Sequence, residues 1–340
     1  MSRRLHALAG ALGLAILAGC ADSSRSVSGP GDSAPSFDRG GDQGQADQGN
    51  DHRHSFELRN SPGVGHAKVK GGGGTGISYH GGPVLLAQTG VVAVYWASGT
   101  IYNSGPAAGT AGAGSGDGSL VGYFLSHLGG SPHFNINTTY TDGAGKHIAN
   151  VVNYNAFWAN NTNVPSSGQS VSGTQMVAML QSGFDGGKLS YDPNALYLIF
   201  SAGTVNLGGG FGTQYCAYHT HGYVTINGVT RTVLYAAMPY VYAYPSACTN
   251  GTPAPNGDPA ADGVVNVLAH EVEETTTDLM GNAWYDQRGY ENADKCAWNF
   301  GATQTNSNGG VWNITVGTRN FLVQQNWVNS GSGGCRQQWP

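Results

Sequence analysis

The stretch "DGVVNVLAHEVEETTTD", residues 262–278, decides how the chain is read. Asp262 to Val267 read as the first turns of a helix capped by Asp262. One histidine and four acids then follow between His270 and Asp278. Glu271 and Glu274 are like charges three apart, which costs a few tenths of a kcal/mol on a helix. The acids crowd the C-terminal half, where the helix dipole disfavours negative charge. Three threonines add β-branched residues that form helices poorly. Only 10% of the residues are charged, so this concentration asks for a counter-ion.

A divalent metal supplies one. His270 and Glu274 are four apart and share a helix face, with Glu271 between them. This is the spacing of the zincin motif H-E-x-x-H with glutamate in the second ligand position, and zinc accepts carboxylate oxygen as well as imidazole nitrogen. Glu271 takes the general-base position. A third ligand comes from "GYENADKCAW" (289–298). There Glu291 is the expected ligand and Asp294 the residue that orients His270, an order that resembles the gluzincins, where the glutamate lies on a following helix. Zinc is the expected ion and calcium the second choice. Two readings compete: a solvated acidic face, and a plain His270–Glu274 pair one turn apart.

Upstream, His219-Thr220-His221 lies in a strand-like run. Residues two apart on a strand share a side, so both rings can face one site. His221 is assigned a substrate-orienting or oxyanion-stabilising role and His219 an outer-shell one, against a plain hydrogen-bonded pair. Asp278 and Asp286 are further candidates for ligands or for partners that orient them.

Around these motifs strands and helices alternate. "VVAVYWA" (91–97) and "ALYLIFSAG" (195–203) read as buried strands, and 147–158 as strand-like. Residues 119–128 and 174–184 have helical spacing. Residues 215–226 and 232–244 form a hairpin pair around Asn227-Gly228. The expected fold is an α/β layered domain with a mixed β-sheet, packed helices and a zincin-like active-site helix.

Arg3, Arg4 and the apolar run 7–17 resemble an export signal, too short to span a membrane comfortably. Leu17-Ala18-Gly19-Cys20 resembles a lipoprotein cleavage site, with lipid on Cys20. Residues 1–19 are therefore read as signal, 20–75 as a flexible Gly/Ser/Asp/Gln-rich tether, and 76–340 as one domain. His52, His54 and His66 are read as solvated loop histidines. Excluding Cys20, four cysteines remain, an even number that suggests two disulfides in an exported chain. Three pairings are open. Cys216–Cys248 and Cys296–Cys335, which join neighbours along the chain, are preferred. A cysteine zinc site has no C-x-x-C spacing to support it. The net charge of −5 and the scarcity of Lys and Arg exclude nucleic acid as a partner.

"YHGGPVL" (79–85), "YCAYHTHG" (215–222), "DGVVNVLAHE" (262–271) and "NAWYD" (282–286) resemble, in this order, the phosphate-induced protein 1 or EXORDIUM-like family. The resemblance covers roughly residues 79–335. It implies a secreted protein, and a bacterial branch in which an H-E-x-x-E helix precedes an E-x-x-D-x-C segment, here Glu291, Asp294 and Cys296. The expected function is an exported, lipid-anchored metal-dependent hydrolase of the bacterial cell envelope, most simply a zinc peptidase. The alternative is a secreted or surface-bound, non-catalytic binder of carbohydrate or peptide. A peptide or glycan and the membrane are thus the expected partners.

Overall fold

The computed structural model describes residues 55–60 and 76–340. The signal-like run, Cys20, the histidines at 52, 54 and 66, and most of the expected tether lie outside the described residues.

Seven strands form the main sheet: β1 (Ser55–Glu57), β2 (Thr89–Trp96), β3 (Ala111–Ala113), β4 (Val152–Asn160), β5 (Ala195–Ser201), β6 (Tyr215–Ile226) and β7 (Val229–Met238). Their spatial order is β1-β6-β7-β5-β2-β4-β3. The four strands β7, β5, β2 and β4 run parallel. The outer strands β6, β1 and β3 are antiparallel to their neighbours, so the sheet is mixed, as expected. Every residue of β2 and β5 is buried, because parallel strands are covered on both faces. Asn227 and Gly228 both take positive φ, 51° and 76°, as a two-residue hairpin between β6 and β7 requires.

Three helices cover the sheet: α1 (Leu120–Leu128), α2 (Gly173–Asp185) and α3 (Pro259–Thr277). Ser119 caps α1, and Ser172 with Gln175 forms a capping box on α2. On β6, Gly222 abuts Val177 of α2, while His219 meets Glu271 of α3. Positions 219 and 222 point to opposite faces of a strand. Hence α2 lies on one face and α3, with α1 beside it, on the other.

Two expected boundaries are corrected. α3 starts at Pro259 and is capped by Asp258, whose side chain accepts from the Ala261 N–H. Proline suits the first helical position because the N–H it lacks would have no partner there. Asp262 sits inside the first turn and accepts from Asn256. The domain also begins before residue 76. Ser55–Glu57 pairs with β6, and the segment has something to bury, since Phe56 is fully enclosed.

The threonines of α3 are accommodated by bonding back along the helix. Thr275 and Thr276 hydroxyls donate to the carbonyls of Glu271 and Val272, each at 2.7 Å. The expected disulfides form: Cys216–Cys248 ties β6 to the segment before α3, and Cys296–Cys335 ties the acidic segment to the C-terminal tail. Beyond α3 the chain folds into short two-stranded ribbons. Among the described residues no helix is long and apolar enough to cross a membrane.

Candidate functional site

α3 is buried along almost its whole length, acids included. Glu271 and Glu274 have no exposed surface, and neither do His270 and Glu291. This removes the solvated-face reading of residues 270–278.

Three parts of the chain converge on that helix. β6 supplies His219, whose Nδ1 lies 3.1 Å from Glu271 Oε2 and 3.7 Å from Glu274 Oε2. The loop after α3 supplies Glu291, 3.8 Å from His219 Nε2. A single 3₁₀ turn, Asp294–Cys296, supplies Asp294, 3.4 Å from His270 Nε2. His270 Nε2 also lies 3.0 Å from Glu274 Oε1. The Asp294 N–H donates to that same oxygen, and the Glu291 N–H donates to Asp294. Two donor sets therefore fall within 4.8 Å, His219–Glu271–Glu274 and His270–Glu274–Asp294, with Glu274 common to both.

The structure brings most of the predicted residues together but redistributes their parts. Asp294, expected only to orient His270, is a member of its donor set, while Glu291 approaches His219. Glu291 lies on a loop and not on a following helix, since the Cys296–Cys335 link holds this segment in short turns. His219 reaches the acids and His221 does not. His221 is partly exposed, its ring edge-on to Tyr223, and among the described residues no hydrogen bond or ion pair joins it to the cluster. Strand alternation puts both rings on one face, but only His219 lies opposite the acids of α3. Asp278 caps the helix end with its backbone N–H on the Glu274 carbonyl, while its side chain accepts from the N–H groups of Asn282 and Ala283 in the turn that follows. Asp286 belongs elsewhere: it accepts from Lys295 Nζ and from the Arg288 and Tyr290 N–H groups.

Phe56 is part of the site, although its segment reads as tether. Its N–H donates to the Glu271 carboxylate. Its ring stacks 4.3 Å from His270 and 4.5 Å from Trp298. The apolar alternation of Phe56 and Leu58 was the available signal. Gln324 is also involved. Its oxygen accepts from the Trp298 N–H and its nitrogen donates to the Ala293 carbonyl, so its second N–H points to His270 Nδ1 at 3.2 Å. That contact fixes the ring with Nε2 between Glu274 and Asp294.

The electrostatics follow from burial. Loss of water, with Asp294 adding repulsion, raises Glu271 to about 8 against the pull of His270. The same causes raise Glu274 to about 7. Burial and the surrounding acids push Glu291 well above the carboxylate range. Burial opposes charge on His270, but Glu274, Asp294 and Glu271 outweigh it and raise its pKa well above the ordinary value. For His219 burial wins and the pKa falls.

A divalent cation fits these residues. Glu271 Oε1, Glu274 Oε2 and Asp278 Oδ2 are buried without a hydrogen-bond donor, which costs a few kcal/mol for an ionised group unless something positive faces it. Arg288 and Lys295, the basic residues between Glu274 and Cys296, both turn to Asp286. The donors are imidazole nitrogen and carboxylate oxygen, a set that suits zinc.

The model of the phosphate-induced protein 1 conserved region matches residues 130–330. EXORDIUM-like 3 of Arabidopsis thaliana is 28% identical over 215 residues, covering 55% of this chain and 63% of its own length. EXORDIUM-like 5 of the same plant is 27% identical over 161 residues, covering 39% of this chain and 44% of its own. The chain thus spans less than two thirds of the length of either relative. No solved structure matches it. The histidines and acids of the cluster lie inside the matched region, and Phe56 lies outside it.

Proposed function

The chain belongs to the phosphate-induced protein 1 family, and from that premise we propose that it is an exported, metal-dependent hydrolase acting on peptides. The observation that carries the reading is the buried cluster of two histidines and at least four acids, from which Arg288 and Lys295 both turn away to Asp286. His270, Glu274 and Asp294 would hold the ion, with His219 and Glu291 on the other side of Glu274. A bound divalent cation supplies a Lewis acid that polarises a carbonyl and water. The chain's own contribution is Glu271, whose Oε1 has no hydrogen-bond donor and whose raised pKa suits taking up a proton and returning it near neutral pH. Glu291 and Asp278 place further carboxyl groups beside the cluster, and Phe56 covers His270 with Trp298 behind it.

Export agrees with the two disulfides, which persist in oxidising compartments. Lipid on Cys20 would anchor the protein to a bacterial envelope membrane. Mass spectrometry of membrane-extracted protein should find a lipidated Cys20 at the N-terminus, and an unmodified N-terminus elsewhere contradicts the anchor.

The hydrolase reading is tested with Glu271→Gln, which is isosteric and should keep the metal while abolishing cleavage of a peptide library. Activity is assayed on the intact chain and on Phe56→Ala. A metal-loaded protein that cleaves neither peptides nor glycans in either form favours the second reading, a non-catalytic binder with a structural ion. Full burial of the ligands supports that second reading, since catalytic sites keep an open position.

A further inference from the structure

The site is closed from one side by a three-residue strand at the edge of the sheet. β1 has three residues and pairs only with β6, antiparallel, in the register Ser55–Tyr218, Phe56–Ala217 and Glu57–Tyr215. Among the described residues it pairs with no other strand of the sheet. Without it, β6 would present its unpaired N–H and C=O groups beside Glu271 and His270. Such an edge is a template for an extended polypeptide, with main-chain bonds giving affinity and side-chain pockets giving selection.

β1 makes the contacts that an extended peptide would make there. Its backbone pairs with β6 and gives one N–H to Glu271. Its one aromatic side chain fills a slot between His270 and Trp298, with no exposed surface. The Trp298 indole donates to the Glu57 carbonyl at 2.9 Å, and the Arg59 N–H donates to the Ala247 carbonyl at 2.9 Å. The last of these partners lies next to Cys248, which the disulfide ties to β6. The receiving walls thus belong to the disulfide-braced body and the plug does not.

We propose that Ser55–Glu57 occupies the substrate cleft of this protein, and that the cleft takes an extended polypeptide carrying an aromatic side chain at the Phe56 position. The chain is held inactive by its own segment until that segment is displaced or cut away. This rests on the hydrolase reading for its consequence, but the cleft itself does not depend on a metal.

The probe is a fluorescein-labelled peptide of residues 55–60, Ser-Phe-Glu-Leu-Arg-Asn, read by anisotropy. Three forms of the full chain are compared: wild type, Phe56→Ala, and a chain with a protease recognition sequence inserted in the Gly71–Gly74 run and cut. A tethered segment competes at an effective concentration on the order of millimolar, so the wild type should bind the peptide at least about tenfold more weakly than the other two. The Phe→Ala version of the peptide should not bind. Zinc transfer to a coloured chelator should be at least about tenfold faster from Phe56→Ala than from wild type, because the ring that covers His270 is gone. If Phe56→Ala fails to fold, the cut chain, which keeps every buried side chain, decides alone. Equal, absent peptide binding in the folded forms overturns the proposal. Peptide binding by chains that hold no zinc keeps the cleft and removes the metal reading. Peptide and zinc binding without cleavage keeps the cleft and removes the hydrolase reading.

Discussion

Glu273 and Glu274 are neighbours on α3, equally buried, and both are held above the ordinary carboxylate range by that burial. Their surroundings differ. Glu273 faces an amide donor and a neutral imidazole. Asn326 donates to its Oε2 at 2.6 Å, and its Oε1 lies 3.2 Å from His133 Nε2. His133 gives its Nδ1 proton to the Gln337 carbonyl, and burial keeps it neutral with a pKa of about 4. Its Nε2 therefore carries a lone pair beside Glu273 Oε1 and adds no charge there. Glu274 faces Asp294, Glu271 and Glu291, with two imidazoles among them. A buried acid by itself therefore needs no ion. An excess of buried acceptors over donors does.

The widest separation of the two faces should come from matched substitutions. Glu274→Gln removes a donor common to both sets. Bound metal should be lost, and with it the stabilisation metal provides, about 4 kcal/mol at free ion a thousandfold above Kd. Thermal melts with and without zinc check this, and a Glu274→Gln protein that still gains stability from zinc breaks the comparison.

pH gives a second separation. The ordinary glutamate value of 4.5 rises to about 8 for Glu271 and about 7 for Glu274 in the fold. Between those values the folded state binds more protons than the unfolded state, so metal-free stability falls as pH rises. His270, also raised, adds in the same direction, while the lowered His219 opposes it. Urea midpoints of the metal-free protein should therefore drop from about pH 5 to about pH 8. Zinc should flatten or reverse the trend, because ligands bind it deprotonated. A metal-free midpoint that rises across this range would contradict the assigned environment.

Cutting the Cys296–Cys335 link with Cys335→Ser should cost about 3–4 kcal/mol by loop entropy. It should also weaken zinc binding, since Asp294 lies in the turn this link holds. Unchanged zinc affinity in the folded variant would detach the turn from the site. The smallest effects belong to the Glu273 face and to the bystander. Glu273→Gln offers a donor to His133 and keeps an acceptor for Asn326, so it should cost within about 1 kcal/mol and leave metal content alone. His221→Ala should change stability by no more than about 0.5 kcal/mol and leave metal binding intact, as at positions without buried partners.

Much of this was legible in the residues. The i,i+4 spacing of His270 and Glu274 put both on one face, and the acids of 289–298 arrived where a third ligand was wanted. The runs 91–97 and 195–203 read as buried strands because both of their faces are covered. The even cysteine count pointed to two disulfides, and joining neighbours along the chain picked the observed pairs from the three open pairings. What escaped depends on depth and on long-range packing. Alternation assigns His219 and His221 to one side of β6 but cannot say which lies opposite α3. Which of Glu291 and Asp294 meets His270 depends on a tight turn that has no periodicity. The alternation of Phe56 and Leu58 is a single step inside a polar stretch, and Phe56 matters only because it meets residues 161 or more positions away in sequence, from Ala217 to Trp298.

The central claim is that the 270/271/274 face of α3 holds a cation, and metal content tests it most directly. Full-length protein is dialysed against zinc, calcium and manganese in turn, then against metal-free buffer, and assayed by elemental mass spectrometry beside Glu274→Gln and Glu273→Gln. One divalent ion per chain, retained by wild type and Glu273→Gln and absent from Glu274→Gln, is the predicted result. A folded wild-type protein that leaves every dialysis without metal contradicts it.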